Sequence, residues 1–357
     1  MKAQRIADLY SDYLLASFGA TTATGLSELL EGEVSHDQVT RYLAGPKKTA
    51  SDLWRTVKAF VREVQAETGV LIIDDSIEEK PYTDENELVC WHYDHAKDRM
   101  LKGINFLTAL YQSQDVSVPV GFHLVAKTEQ YVDPKTQQEK RRSPVSKNEV
   151  CRDLVKQAVK NRLPFRFVLF DVWFASAENM VFLKQQVQRD FICPLKTNRK
   201  VALSQTDKQQ GRYVRVDTLE LDAQATREIY LEGVDFPLVL VKQVFTNEDG
   251  SVGLRYLVSS ETTVSFDDVT TTYHRRWQVE CYHKSLKQNV SLAKSPTQTV
   301  TTQTNHFFAA LCGFIKLERL KMQTHLNHFA LKSKLYLNAL HSAFTTLRQL
   351  TSLPNPA

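Results

Sequence analysis

Two short runs decide most of what this chain can become. Residues 70–75 read "VLIIDD" and residues 165–171 read "FRFVLFD". Each is rich in β-branched or aromatic residues and ends in aspartate. A strand apolar on both faces is the pattern of a central strand covered on each side of its sheet. Carboxylates do not end so apolar a strand without a use, because an unpaired buried charge is costly. Open α/β sheets also place their sites at the carboxyl ends of their strands. Asp74 and Asp171 are therefore the first candidate site residues.

Around these strands the texture of the chain changes several times. Residues 1–68 repeat apolar positions at helical spacing, as in "IADLYSDYLLASF" and "LWRTVKAFVREVQ". Within them "TGLSELLEGEVSHDQVTRYL" has the proportions of a helix-turn-helix. Ser35 is its N-cap, Gln38 completes a capping box, and Gly45-Pro46 stops the second helix. Asp37, Gln38, Thr40 and Arg41 lie on or near that helix. The segment suits a DNA-reading unit or a plain structural hairpin.

From residue 69 to 190 the runs "LVCWHYDHA", "GINFLTALYQ" and "VPVGFHLVAK" add strands, and "YVDPKTQQEKRRSP" is a charged hairpin tip or loop. "SKNEVCRDLVKQAVKNR" is an amphipathic helix. Over 191–260, short alternating runs separated by Gly, Pro and "NEDG" indicate a β-rich insertion. Beyond residue 267 the pattern is helical again. The expected fold class is α/β, a mixed sheet with flanking helices. The expected domains are a helical one over 1–68, a core over 69–190 and 261–320, the insertion over 191–260, and a helical segment over 321–357 serving dimerisation or core.

Composition narrows the function classes. With 42% hydrophobic and 24% charged residues the chain reads as an ordinary globular protein. No run approaches the ~18 apolar residues of a membrane span, and the N-terminus lacks the apolar centre of a signal peptide. The five cysteines are scattered without a C-x-x-C pair, which disfavours a disulfide framework or zinc cluster and points to a reducing cytoplasm. The net charge of +4 permits a nucleic-acid partner without demanding one.

The third acid lies in "TTYHRRWQVECYHKSLKQNV", residues 271–290, where Glu280 stands among Arg275, Arg276, Lys284, Lys287, His274 and His283. Read as one helix, Tyr273, Arg276, Glu280 and Lys287 share an arc of ~60°. Such a face lets Glu280 bind a metal while Arg276 and Lys287 hold phosphates. Arg275 and Lys284 fall off it, to general backbone attraction or solvent. The bland alternative is a solvated face with a Glu280–Lys284 pair, worth only ~0.2–0.5 kcal/mol. Three carboxylates from separate elements suit two-metal phosphoryl transfer, since Mg²⁺ and Mn²⁺ take hard oxygen ligands.

The pattern Tyr-x2-Arg-x3-Glu-x6-Lys at Tyr273, Arg276, Glu280 and Lys287 resembles the signature of the insertion-sequence-four-like transposases of bacteria, a DDE branch that includes the Tn-five type. "FVLFDVWFAS" resembles the family's second-acid motif, and "DDS" at 74–76 its first, with Asp75 as the other possible register. Asp171 follows Asp74 by 97 residues and Glu280 follows Asp171 by 109, room for the insertion this branch carries. "FICPLKTNRK" is similar to the stretch that opens that insertion, so Lys196, Asn198 and Arg199 either touch the DNA backbone or form a solvated loop.

The resemblance implies an RNase H-like catalytic core in which Asp74, Asp171 and Glu280 are the catalytic metal ligands for two Mg²⁺, with Mn²⁺ as a substitute. It also implies double-stranded DNA as substrate (terminal inverted repeats and target), phosphate contacts from Tyr273, Arg276 and Lys287, and cut-and-paste transposition through a hairpin by a homodimer. Gln38 and Arg41 would read DNA in the N-terminal domain. The branch holds a flipped base on an insertion tryptophan. No tryptophan lies between Trp173 and Trp277, so an aromatic such as Tyr213, Tyr230 or Phe236 would have to take that place.

Other features carry less. His92, Asp94 and His95 have a metal-like spacing, but nitrogen ligands do not suit Mg²⁺ chemistry, so surface or packing roles are expected. Lys140, Arg141 and Arg142 read as a solvated tip. The rival functions are an RNase H-like nuclease or resolvase that cuts without joining, and a domesticated DNA-binding protein without chemistry. A two-carboxylate glycosidase is disfavoured by the cations around Glu280.

Overall fold

The computed structural model describes residues 2–94, 97–222, 224–246 and 249–351. His95, part of the histidine spacing noted above, lies outside them, as do two residues of "NEDG" and the end of the C-terminal segment. The chain opens with helices α1 (Lys2–Ala16), α2 (Ala23–Leu29), α3 (His36–Leu43) and α4 (Ala50–Val64). The capping box before α3 is formed, the Gln38 side chain accepting from the Ser35 amide at 2.9 Å.

Strands β1 (Val70–Glu79), β2 (Val89–Asp94), β3 (Arg99–Ser113) and β4 (Val116–Leu124) follow, then the hairpin of β5 (Glu129–Val132) and β6 (Glu139–Arg142). Helix α5 (Lys147–Lys160) starts at a second capping box and leads into β7 (Phe167–Phe170), α6 (Ala177–Val181), β8 (Asp190–Leu195) and β9 (Lys200–Ala202). Next come α7 (Gln205–Gln209), β10 (Val214–Arg215), β11 (Thr226–Leu231), β12 (Leu238–Thr246) and β13 (Val252–Ser259). Helices α8 (Phe266–His274), α9 (Trp277–Asn289), α10 (Val300–Thr324) and α11 (His328–Thr351) complete the described chain. Among the described residues no helix is long and apolar enough to cross a membrane.

The chain divides into two compact units. The first comprises the described parts of Met1–Thr56, Ile77–Ile104 and Tyr282–Ala357. Here α1 and α3 pack on α10. Asn305, buried on α10, donates to the carbonyls of Leu43 and Gly45 and accepts from the Lys48 amide, which ties the end of α3 to the long helix. Buried Tyr10 and His306 share a hydrogen bond of 3.0 Å. Helix α11 holds this packing through Lys332, which donates to the carbonyls of Leu15 and Ser17, and Tyr336, whose ring meets Phe18, while Leu337, Leu340, Phe344 and Leu347 on it are exposed.

The second unit, Val57–Ser76 and Asn105–Cys281, is a mixed sheet with helices. Its strand order is β10-β9-β11-β12-β13-β8-β7-β1-β3, with β4 also on β3. Strands β1, β7 and β8 run parallel, and from β8 outward through β13, β12, β11 and β9 to β10 each neighbouring pair is antiparallel. Residues 70–73 and 167–170 are fully or almost fully buried, as their apolar runs require. Burying such side chains contributes about 1.5–3 kcal/mol each. Strands β8 to β13 thus continue the sheet that holds β1 and β7. The mixed sheet with flanking helices agrees with the expected α/β class.

Candidate active site

Backbone register alone brings two acids together. In the parallel pair of β1 and β7, Ile73 lies opposite Phe170, so Asp74 and Asp171 stand level on adjacent strands. Asp171 follows the end of β7, but Asp74, expected to end its strand, lies midway along β1, which runs on to Glu79. Asp171 ends its strand and turns into a short capping turn. Its Oδ1 accepts from the amides of Trp173 at 2.9 Å and Phe174 at 3.3 Å, which fixes the carboxylate. Burial raises the Asp171 pKa despite those two donors.

Asp74 is 7% exposed. Its Oδ1 accepts from the Asp75 amide, and its Oδ2 accepts from Arg276 Nη1 at 2.8 Å. The same guanidinium donates from Nη2 to Glu280 Oε1 at 3.3 Å. Burial pushes Asp74 up to about 8 against the pull of Arg276, with Asp171, Glu280 and Asp75 adding to the rise. Asp74 thus lies close enough to Asp171 and Glu280 to feel their charge. The sequence motifs therefore meet in space: Asp74, Asp171 and Glu280 converge around Arg276.

Alternating strand faces separate Asp75 from Asp74. Asp75 Oδ2 accepts from Asn105 Nδ2 on β3 at 2.9 Å and from Lys147 Nζ on α5 at 2.7 Å. Lys147 and Asn105 carry no local signal of this role, because each is an ordinary residue of its element.

The segment after residue 266 departs from expectation. One helix across 271–290 is not what forms: α8 stops at His274 and α9 starts at Trp277. Between them the amides of Arg275 and Arg276 bond three residues back, to Thr272 and Tyr273, the tight pattern of a 3₁₀ turn. Tyr273 consequently faces the interior, 5% exposed, with its hydroxyl donating to the Phe170 carbonyl at 3.5 Å. Burial raises its pKa well above the phenol range. Arg275, expected to face phosphate or solvent, instead donates to Gln112 Oε1 and to the carbonyls of Gln112 and Thr68.

Lys287, in the first unit, donates to the Ile77 carbonyl at 2.7 Å, and burial lowers its pKa while Glu78 opposes the fall. Lys284, also expected in solvent or near backbone, lies over the Phe329 ring at 5.2 Å.

A cavity of about 340 Å³ opens beside the acids, lined by Asp171, Tyr273, Arg276, Arg255, Tyr256 and Thr197 among others. Arg255 and Tyr256 belong to β13, whose alternation marked a strand without showing which face it turns to the site. A smaller cavity is lined by Trp173, Lys196 and Arg199. Lys196 and Asn198 are exposed and Arg199 half-buried, in the turn from β8 to β9. Elsewhere, Gln38 is committed by one oxygen to its cap, while exposed Arg41 donates to the Asp37 carbonyl. His92 is buried against Cys90 Sγ at 3.3 Å, a packing role. Lys140 and Arg142 pair with Asp133 and Glu129 on their own hairpin, as a solvated tip does.

Residues 1–218 match the family model described as DDE superfamily endonuclease, and residues 143–314 match the transposase DDE domain. The chain belongs to the DDE superfamily endonucleases. Asp74 and Asp171 fall inside the first match; Asp171, Tyr273, Arg276, Glu280 and Lys287 fall inside the second. No curated protein is a detectable relative of the chain. The protein is thus a DDE-type transposase enzyme whose substrate is DNA, and enzymes of this kind use divalent metal ions.

The donor chemistry of this DDE enzyme fits such an ion. Asp74, Asp171 and Glu280 offer hard carboxylate oxygens, and their mutual repulsion is what a divalent cation relieves. Among the described residues no three His, Cys, Asp or Glu side chains converge closely enough to hold an ion as they stand. The Arg276 guanidinium bridges Asp74 and Glu280 instead.

Proposed function

We propose that this transposase is a cut-and-paste enzyme of the insertion-sequence-four-like branch, with Asp74, Asp171 and Glu280 as its catalytic metal ligands on an RNase H-like core. The observation that carries this reading is the register of β1 on β7, which levels Asp74 with Asp171, together with Arg276 joining Asp74 to Glu280. Arg276 and Glu280 also form the Tyr-x2-Arg-x3-Glu-x6-Lys signature with Tyr273 and Lys287. Two Mg²⁺ ions, or Mn²⁺ in their place, supply activation of the attacking oxygen and charge neutralisation at the phosphate.

This chain's own residues position the DNA. Arg276 presents a planar fork suited to a phosphate, and Tyr273 borders the same cavity. Lys196, Asn198 and Arg199 extend the basic surface on the turn after β8, where a backbone contact fixes register without reading sequence. Lys287 adds a phosphate contact once it leaves its carbonyl. Water attacks the phosphodiester at the transposon end and releases a 3′-hydroxyl. That hydroxyl attacks the opposite strand to form a hairpin, a second water reopens it, and the freed 3′-ends join target DNA.

The domain roles follow the same reading. Residues 1–68 bind the terminal inverted repeats through Gln38 and Arg41, residues 191–260 are the β-rich insertion in the core of 69–190 and 261–320, and 321–357 supports a homodimer. The exposed leucines of α11 suit that last role. The enzyme acts on the nucleoid in the cytoplasm. The test is incubation of the purified protein with a duplex transposon end and Mg²⁺. A hairpin product is expected; nicked strands without a hairpin leave only an RNase H-like nuclease.

A further inference from the structure

Arg276 stands where a cation is wanted. Two of the three acids each commit an oxygen to it, and its side chain is only 18% exposed. A guanidinium stays charged at any accessible pH, and its fork matches two carboxylate oxygens better than a point charge does. The third acid, Asp171, commits one oxygen to the amides of Trp173 and Phe174 instead. The acid cluster is thus already neutralised in part, and among the described residues no three donors are close enough to take an ion.

Arg276 sits in the two-residue joint between α8 and α9, outside both helices. It also lines the 340 Å³ cavity beside Asp171. An anion entering that cavity competes for the same donors.

We propose that Arg276 is an internal counter-ion that keeps the acid cluster poor in metal until a DNA phosphate takes its guanidinium. The inference rests on the reading of Asp74, Asp171 and Glu280 as metal ligands. By linkage, DNA then tightens metal binding and metal tightens DNA binding by the same factor, with Arg276 carrying the coupling.

The experiment is calorimetric titration of Mn²⁺ into the full chain without DNA, for wild type, Arg276→Gln and Arg276→Lys, with circular dichroism confirming that each is folded. A bridging contact to charged groups predicts that both variants bind Mn²⁺ about 10- to 100-fold more tightly than wild type, because lysine keeps the charge but cannot span both acids. Adding a short duplex end should tighten Mn²⁺ binding by wild type far more than by either variant. Wild-type affinity in Arg276→Lys would show that charge alone matters and overturns the bridge. Equal affinity in all three overturns the inference while the metal reading stands. If none of the proteins binds Mn²⁺, with or without DNA, the ligand assignment itself fails and the inference falls with it.

Discussion

The parallel strands β1 and β7 and the joint between α8 and α9 bring Asp74, Asp171 and Arg276 together by opposite means. On the strands, side-chain direction is set by the backbone. Two buried parallel strands in register leave Asp74 and Asp171 level, and alternation sends Asp75 to the other face. At the joint, direction is set by what distant residues offer. Arg275 and Arg276 are neighbours in sequence, yet one staples the backbone at Thr68 and Gln112 while the other holds the acids. Repeating structure fixes position cheaply, whereas a long flexible cation takes whichever acceptor tertiary folding brings near.

The sharpest way to break this comparison lies in the middle of β1. Asp74→Ala should lower end cleavage by about a thousandfold, the several kcal/mol expected of a group that organises charge in the transition state. Asp75→Ala should keep cleavage within about tenfold, and lose about 1–3 kcal/mol of stability as Lys147 and Asn105 lose their acceptor. Cleavage rates and denaturant unfolding of the two proteins decide it. A dead Asp75→Ala beside an active Asp74→Ala would reverse the strand faces assigned here.

That contrast also explains how much of the molecule could be read from its sequence. The buried runs before Asp74 and Asp171, the capping boxes at Ser35 and Ser146 and the hairpin closing on Arg142 all depend on residues a few positions apart. Local pattern states such features directly. The break at Arg275–Arg276 was hidden because the residues there have ordinary helical spacing. What draws Arg275 out of line is Gln112, 163 residues away, and Lys287 finds its carbonyl 210 residues away at Ile77. No periodicity within residues 271–290 encodes either partner.

The joint supplies the next prediction. Arg275→Ala removes donors from Gln112 Oε1 and from the carbonyls of Gln112 and Thr68. The cost should be about 2–4 kcal/mol in urea unfolding, since bonds from a charged donor are the stronger kind and their acceptors are left without it. If Arg275 served only as a general attractor for DNA backbone, stability would hold and the salt dependence of DNA binding would fall instead.

The smallest expected effect tests whether the far end of β1 obeys backbone rules as its middle does. Glu78 is 6% exposed, and burial pushes it up to about 6, with Lys287 and Lys80 pulling the other way. Because the folded protein holds this proton more tightly than the unfolded chain, whose value is 4.5, the contribution to stability is complete below that value. It is then lost as pH rises through about 6, a fall of about 2 kcal/mol across the window. Glu78→Gln, which stays neutral, should remove that slope and leave the variant the more stable protein at neutral pH. Unfolding measured across this range checks the sign. A wild type that instead gains stability on the alkaline side would mean that Lys287 leaves the Ile77 carbonyl to pair with an ionised Glu78, and that a side-chain contact overrides the strand here too.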